Sequence, residues 1–236
     1  AKRRFLNMIS HELRTPLGQV AGYAALLSGD RCLSEASREN VAQVSRANAH
    51  ALELVDDMID FARGELTISP VPFNATETVA AVLNHLRTNV LTHDLDVRFD
   101  NHLPAGATFV GDARRLRQLL RLLLHNATKF TGEGEIGICA ESTKSGLKLT
   151  VFDTGSGFDT SRLPELLQVF EQGDATVTRS KEGAGIGLAL AKRLLDALHG
   201  TWAFESQIGG GTRITLDLPM EPIDQTVATD EVVEGH

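Results

Sequence analysis

The sequence predicts an all-α helical hairpin that pairs into a dimeric four-helix bundle, followed by an α+β sandwich with a mixed sheet and helices on one face. Three observations carry this. Residues 5–62 hold two apolar stripes at helical spacing, interrupted once at Ser28-Gly29-Asp30. Residues 65–73 contain Pro70 and Pro72 and no helical period. From residue 74 onward, helix and strand patterns mix without strict alternation, which favours helices on one side of a sheet over a doubly wound fold.

In the first stripe Leu6, Ile9, Leu13, Leu17, Val20, Ala24 and Leu27 follow one another at intervals of three and four, over a helix spanning residues 5–27. Ser34 is placed as the N-cap of a second helix, with Glu35 in its first turn. Val41, Val44, Asn48, Ala51, Val55, Met58 and Ala62 form its stripe, with Asn48 the one polar position, and Gly64 ends it. One hairpin cannot bury two such stripes, whereas two hairpins can, so residues 1–64 are expected to form a homodimer.

Residues 65–73 read as an extended linker leading into a strand, and 74–220 as the second domain. Within it the patterns place helices near 74–91, 112–130 and 186–199, strands near 95–100, 134–141 and 146–153, and a closing hairpin over 201–218. Residues 221–236 are acidic and lack periodicity, which predicts a disordered tail.

The bulk numbers exclude some classes. With 42% hydrophobic and 23% charged residues the chain can bury a core, and its net charge of −8 argues against a nucleic-acid partner. No apolar run approaches the roughly 20 residues that span a bilayer, so membrane contact is expected only through segments absent from this chain. The opening Ala-Lys-Arg-Arg-Phe already reads as helix, which suggests a piece of a longer protein with a sensing region upstream. Cys32 and Cys139 match no metal spacing and read as reduced, partly buried thiols of a cytoplasmic protein.

His11 lies two positions after Ile9 and two before Leu13. At about 100° per residue it sits roughly 200° from each, off the apolar stripe, where a core histidine would not be. Glu12 is adjacent, and a carboxylate beside an imidazole can take its proton or fix its tautomer. Thr15 lies four residues after His11 on the same side. Pro16 cannot donate to the Glu12 carbonyl and is expected to bend the helix.

The run Phe5-x4-Ser10-His11-Glu12-Leu13-Arg14-Thr15-Pro16-Leu17 closely resembles the phosphoacceptor box of the HisKA-type sensor histidine kinases. The resemblance implies His11 as nucleophile, Glu12 as its general base, and Thr15 as the group that positions water for dephosphorylation of a partner. It also implies phosphotransfer to an aspartate of a response-regulator receiver domain.

Further motifs point to a nucleotide. Asp153-Thr154-Gly155-Ser156-Gly157 follows a predicted strand, and its glycines allow a sharp turn close to a ligand. Gly183-Ala184-Gly185-Ile186-Gly187 precedes a helix beginning near Leu188, where backbone N–H groups can meet phosphate oxygens. Neither a P-loop lysine nor a βαβ unit accompanies it. Asn126 lies off the Leu116, Leu119, Leu123, Ala127 and Phe130 face, with Lys129 on its own side, and its amide oxygen suits Mg²⁺ shared with water and phosphates.

Together these motifs resemble the ATP-binding domain shared by histidine kinases, type II topoisomerases, mismatch-repair ATPases and a heat-shock chaperone. The resemblance spans residues 5–219. It implies an N box at His125–Thr131, including Asn126 and Lys129. It implies a first glycine box at Asp153, Gly155 and Gly157, with Asp153 accepting the adenine amino group. Phe170 belongs to the F box, Thr178 and Arg179 to a lid over the nucleotide, and Gly183, Gly185, Gly187 and Leu188 to the second glycine box. ATP and Mg²⁺ are the implied cofactors.

Three features depart from the family pattern. Leu122 stands where many members carry a second asparagine, the F box lacks its second phenylalanine, and Glu182 and Ala184 replace a glycine and a threonine. These departures keep open a degenerate kinase acting as a phosphotransfer or partner-binding scaffold; the intact Asn126 and Asp153-x-Gly155-x-Gly157 argue against it. The third reading, an ATPase that drives conformational change, does not need the His11 box.

Overall fold

The computed structural model describes residues 2–30, 32–62, 66–89, 95–164 and 186–223. The chain divides into two compact units, Ala1–Leu66 and Thr67–His236.

The first unit is a hairpin of α1 (Lys2–Ser28) and α2 (Glu35–Ala62). Pro16 sits inside α1, which runs on without a break. Ser34 caps α2 as the spacing predicts: its hydroxyl accepts from the Ser37 N–H at 3.1 Å. Of the predicted apolar stripe, Ala24 is buried, but Leu13, Val20 and Leu27 remain 44%, 40% and 46% exposed, and Val44 of α2 is 48% exposed. A lone hairpin therefore leaves much of its apolar surface in water.

The second unit contains β1 (Val71–Asn74), α3 (Ala75–Asn89), β2 (Leu95–Asn101), β3 (Thr108–Gly111), α4 (Ala113–Phe130), β4 (Gly134–Thr143), β5 (Gly146–Asp153), α5 (Ile186–Ala197), β6 (Thr201–Ser206), β7 (Thr212–Leu218) and β8 (Pro222–Ile223). Five strands form a mixed sheet ordered β2-β4-β5-β7-β6, parallel between β2 and β4 and antiparallel elsewhere. Strand alternation sends Ile136, Ile138 and Ala140, Leu147, Leu149 and Val151, and Ile214, Leu216 and Leu218 to the buried face. The opposite face is charged: Arg98 bonds Asp100 at 2.6 Å and Glu135 at 3.0 Å, and Arg213 lies over the Phe152 ring.

Helix α4 is the centre of the core. Its apolar surface exceeds one stripe, because α3, α5 and the sheet all pack against it. Leu116, Leu119, Leu120, Leu123 and Leu124 are each no more than 1% exposed, each burial contributing about 2 kcal/mol. Its N-cap, Asp112, is buried; one carboxylate oxygen accepts from Arg115 N–H and the other from Ser69 N–H, both at 3.0 Å. Replacing Asp112 by alanine removes both acceptors, and the urea midpoint of this unit is expected to fall by the equivalent of about 2 kcal/mol. An unchanged midpoint would show that the cap carries no stability.

Four details differ from the sequence reading. Val71–Phe73, read as the end of a linker leading into a strand, and Asn74, read as the start of a helix, together form β1 and pair with β3. The tail does not begin at 221: Glu221 accepts from Val110 N–H, and Pro222–Ile223 pair with β3 in a second, three-stranded sheet, while residues 224–236 lie outside the described set. Phe130, placed on the buried face of its helix, is 44% exposed because the helix ends there. Cys32, read as partly buried, is exposed.

Candidate nucleotide site and phosphoacceptor helix

The site is built where β5 ends. Strand alternation that buries Leu147, Leu149 and Val151 also directs Asp153, the last residue of β5, to the helix side of the sheet. The chain then turns through Thr154–Gly157, and three elements hold that turn. Thr154 exchanges bonds with β4: its N–H donates to Glu135 O at 3.0 Å, and its hydroxyl accepts from Glu135 N–H at 2.9 Å. Ser156 N–H donates to Phe130 O at the end of α4, 3.0 Å away. Gly209 N–H, from the β6–β7 turn, donates to Ser156 O at 2.7 Å.

Both glycines of the turn are required by space. A Cβ at Gly155 would lie 2.3 Å from Phe130 O and 2.6 Å from Thr131 Oγ1. Gly157 has φ of 58°, and its Cβ would meet Gln207 O at 2.0 Å. The glycines therefore let the turn lie directly on the end of α4, bringing the two motifs into contact.

Asp153 is half-buried, and burial raises its carboxyl pKa above the ordinary value of 3.8. Gly155 N–H, at 2.9 Å from Oδ1, the Thr212 backbone N–H and the Thr131 hydroxyl oppose that rise. The Thr131 hydroxyl is itself buried; it is near enough to favour the charged carboxylate but forms no hydrogen bond of ordinary geometry among the described residues. The site thus holds a partly desolvated acceptor with a buried hydroxyl beside it.

This raised value has a sign that can be checked. The folded chain holds the Asp153 proton more tightly than the unfolded chain, so this group's contribution to stability declines as pH rises from 3.8 through the folded-state value. A ligand that needs the charged acceptor shows the opposite trend. Nucleotide affinity, followed by titration calorimetry from about pH 7 to about pH 4.5, is expected to weaken on acidification, with binding releasing protons toward the acid end of that range. Affinity independent of pH over that range would count against Asp153 as the acceptor.

Asn126 and Lys129 lie in the last two turns of α4. Asn126 is half-buried, and a Cβ built at Gly187 would lie 3.6 Å from its Oδ1, so the start of α5 borders the Asn126 amide. Gly187 and Leu188 are the second and third residues of α5, in its first turn, where backbone N–H groups can meet an anion. Lys129 is exposed, with its ammonium 4.8 Å from the Phe130 ring centroid. Asn126, Asp153 and Gly187 are thereby joined through α4, although they lie far apart in sequence. The amide oxygen of Asn126 is a hard donor of the kind that suits a cation held mostly by phosphates and water.

Phe170, Thr178, Arg179, Gly183 and Gly185 lie outside the described residues. His11 and Glu12 lie in α1, and their side chains fall outside the described set; Thr15 is exposed on the same helix. Sequence reasoning assigned no role to Thr131 or Thr212. Thr131 adjoins Lys129-Phe130 and could have been found by position, but Thr212 meets Asp153 only through β5–β7 register. A cleft of about 660 Å³ touches Asp153, but its other walls include Arg98, Glu135, Phe152 and Arg213 of the outer sheet face, away from Asn126 and Gly187.

Comparison with known proteins fits this division. The model of the His Kinase A (phospho-acceptor) domain matches residues 1–67, and that of the histidine kinase-, DNA gyrase B-, and HSP90-like ATPase matches residues 111–222. The autoinducer 2 sensor kinase/phosphatase LuxQ of Vibrio parahaemolyticus is 31% identical over 97% of this chain and 28% of its own length. The circadian input-output histidine kinase CikA of Synechococcus elongatus is 33% identical over 100% of this chain and 33% of its own length. This chain therefore spans about a third or less of these curated relatives. The crystal structure of full-length ShkA in complex with AMPPNP matches with a TM-score of 0.69 and 28% identity, covering 93% of this chain and 46% of ShkA.

Proposed function

This chain belongs to the sensor histidine kinases, as a phosphoacceptor region followed by the family's ATPase fold, and from that membership we propose that it phosphorylates His11 with ATP and passes the phosphoryl group to a response-regulator aspartate. The observation that carries the reading is the junction of Asn126, the Asp153 turn and the start of α5, in a chain that also bears a helical His11-Glu12-x-x-Thr15-Pro16 run.

In this mechanism Asp153 accepts the adenine amino group. Lys129 and the first amides of α5, at Gly187 and Leu188, would face the phosphates, and the family resemblance adds Phe170, Thr178, Arg179, Gly183 and Gly185 to the nucleotide-binding residues. Asn126 would hold Mg²⁺, which when bound neutralises charge on the phosphates. Glu12 holds His11 with its attacking nitrogen unprotonated. A nitrogen–phosphorus bond forms on His11, the bond from the γ-phosphorus to the bridging oxygen breaks, and ADP leaves. The phosphoryl group then moves to the receiver aspartate. Thr15 orients water that hydrolyses the receiver's aspartyl phosphate and releases inorganic phosphate, a dual activity also expressed in the name of LuxQ.

Residues 1–64 form the homodimer, supported by the exposed Leu13, Val20, Leu27 and Val44 on a single hairpin. Family membership supports a reaction in the cytoplasm. No helix among the described residues is long and apolar enough to cross a membrane. Incubation with γ-labelled ATP and Mg²⁺ tests the proposal. Label that is labile in acid and stable in base identifies a phosphohistidine. Nucleotide binding without any label would favour a degenerate scaffold, with Leu122, Glu182, Ala184 and the short F box as the sequence differences to examine.

A further inference from the structure

Asn48 is the polar position in the apolar seam of α2, and the hairpin buries it to 6% exposure. Its Nδ2 donates to the backbone oxygen of Leu17, 2.9 Å away on α1. Its Oδ1 is also buried and has no hydrogen-bond partner among the described residues. An apolar side chain here would leave no acceptor unsatisfied, but it would form no bond to α1 and would not tie the seam to one carbonyl. A buried asparagine in a helical seam instead selects one register, because only that register satisfies its donor.

The register it selects is at a particular place. Leu17 follows Pro16 directly, and Pro16 has no N–H to give to the Glu12 carbonyl, so α1 is weakest between Glu12 and Pro16. The Asn48 bond pins the first residue beyond that weak turn. Any change of direction in α1 is therefore easiest at this turn, and the residue just beyond it is bonded to α2.

We propose that Asn48 is a positioning residue, an anchor that fixes the stationary side of a joint at Pro16 and thereby sets the direction in which α1 presents His11. The link to His11 rests on its reading as the phosphoacceptor; the anchor itself rests only on the Asn48–Leu17 bond. Loss of the anchor changes the balance between phosphorylation and dephosphorylation, since the two reactions need different placements of the same helix.

The test compares wild type, Asn48→Leu and Asn48→Gln in the full chain, by amide hydrogen exchange over residues 17–24 and by separate rates of autophosphorylation and of receiver dephosphorylation. In the leucine variant, exchange in that segment is expected to speed up at least about fivefold, and the ratio of the two rates to shift by a similar factor. Glutamine, which keeps the donor, is expected to return both to within about twofold of wild type. Unchanged exchange in the leucine variant overturns the anchor, whatever the kinetics. Faster exchange with both rates scaled equally overturns the positioning role and leaves Asn48 a packing residue. If the wild type takes no label at all, the phosphoacceptor reading fails, and the exchange comparison still decides the anchor.

Discussion

Replacing His11 by glutamine is expected to reduce incorporation of label from γ-labelled ATP to background, while nucleotide affinity stays within about twofold of wild type. Glutamine keeps length and polarity in a helix that tolerates it well, so α1 should persist. It has no nitrogen lone pair able to attack phosphorus, and the expected loss is therefore complete rather than graded. The nucleotide motifs all lie in the second unit, which is why binding should not follow activity down. Glu12→Gln provides the graded comparison: removing a general base while leaving the nucleophile should slow labelling by about 10²–10⁴-fold without moving the label elsewhere. Persistent label in the His11 variant would place the acceptor on another residue and remove the main support for the His11-Glu12-Thr15 assignment.

The contrast between these two units also explains what was legible in the sequence. Helices α1, α2 and α4 repeat an apolar residue every three or four positions, a local signal that needs no partner to be read. Strands β1, β3 and β8 are two to four residues long, and β1 and β8 contain Pro72 and Pro222. Proline reads as a strand breaker, yet both lie on the outer strands of a sheet centred on β3, where a missing donor is tolerated. Only the non-local pairing with Val110 and Phe109 makes them strands. The same distinction holds at the nucleotide site. Asn126, Asp153, Gly155, Gly157 and Gly187 stand in short motifs and could be named individually. That Gly155 must be glycine because Phe130 O and Thr131 Oγ1 fill the space, or that Thr212 touches Asp153, depends on contacts that no local pattern encodes.

Asn48 lies between these cases. Its polarity in an apolar seam was visible in the sequence, but its partner was not, because a helical stripe does not say which carbonyl of a neighbouring helix a side chain will reach.

Asp153→Asn is expected to weaken ATP binding by about 100-fold, roughly 3 kcal/mol, with a much smaller change in folding stability. The substituted side chain keeps one oxygen, which can still accept from Gly155 N–H, so the turn should hold its shape. The other carboxylate oxygen becomes an NH₂ group. It can no longer accept from an adenine amino group and would set donor against donor. In a half-buried position no water is readily available to restore the lost bond, so the loss should approach that of a charge-assisted hydrogen bond rather than a surface contact. The base provides an independent control. Inosine triphosphate carries an oxygen where ATP carries the amino group, so wild type should reject it through repulsion from the Asp153 carboxylate, and the asparagine variant should narrow that preference by donating to it. Equal affinity of the wild type for both nucleotides would mean that Asp153 does not read the base. A variant that lost both nucleotides equally, together with its folded signal, would mean that the carboxylate maintains the turn and that selectivity lies elsewhere.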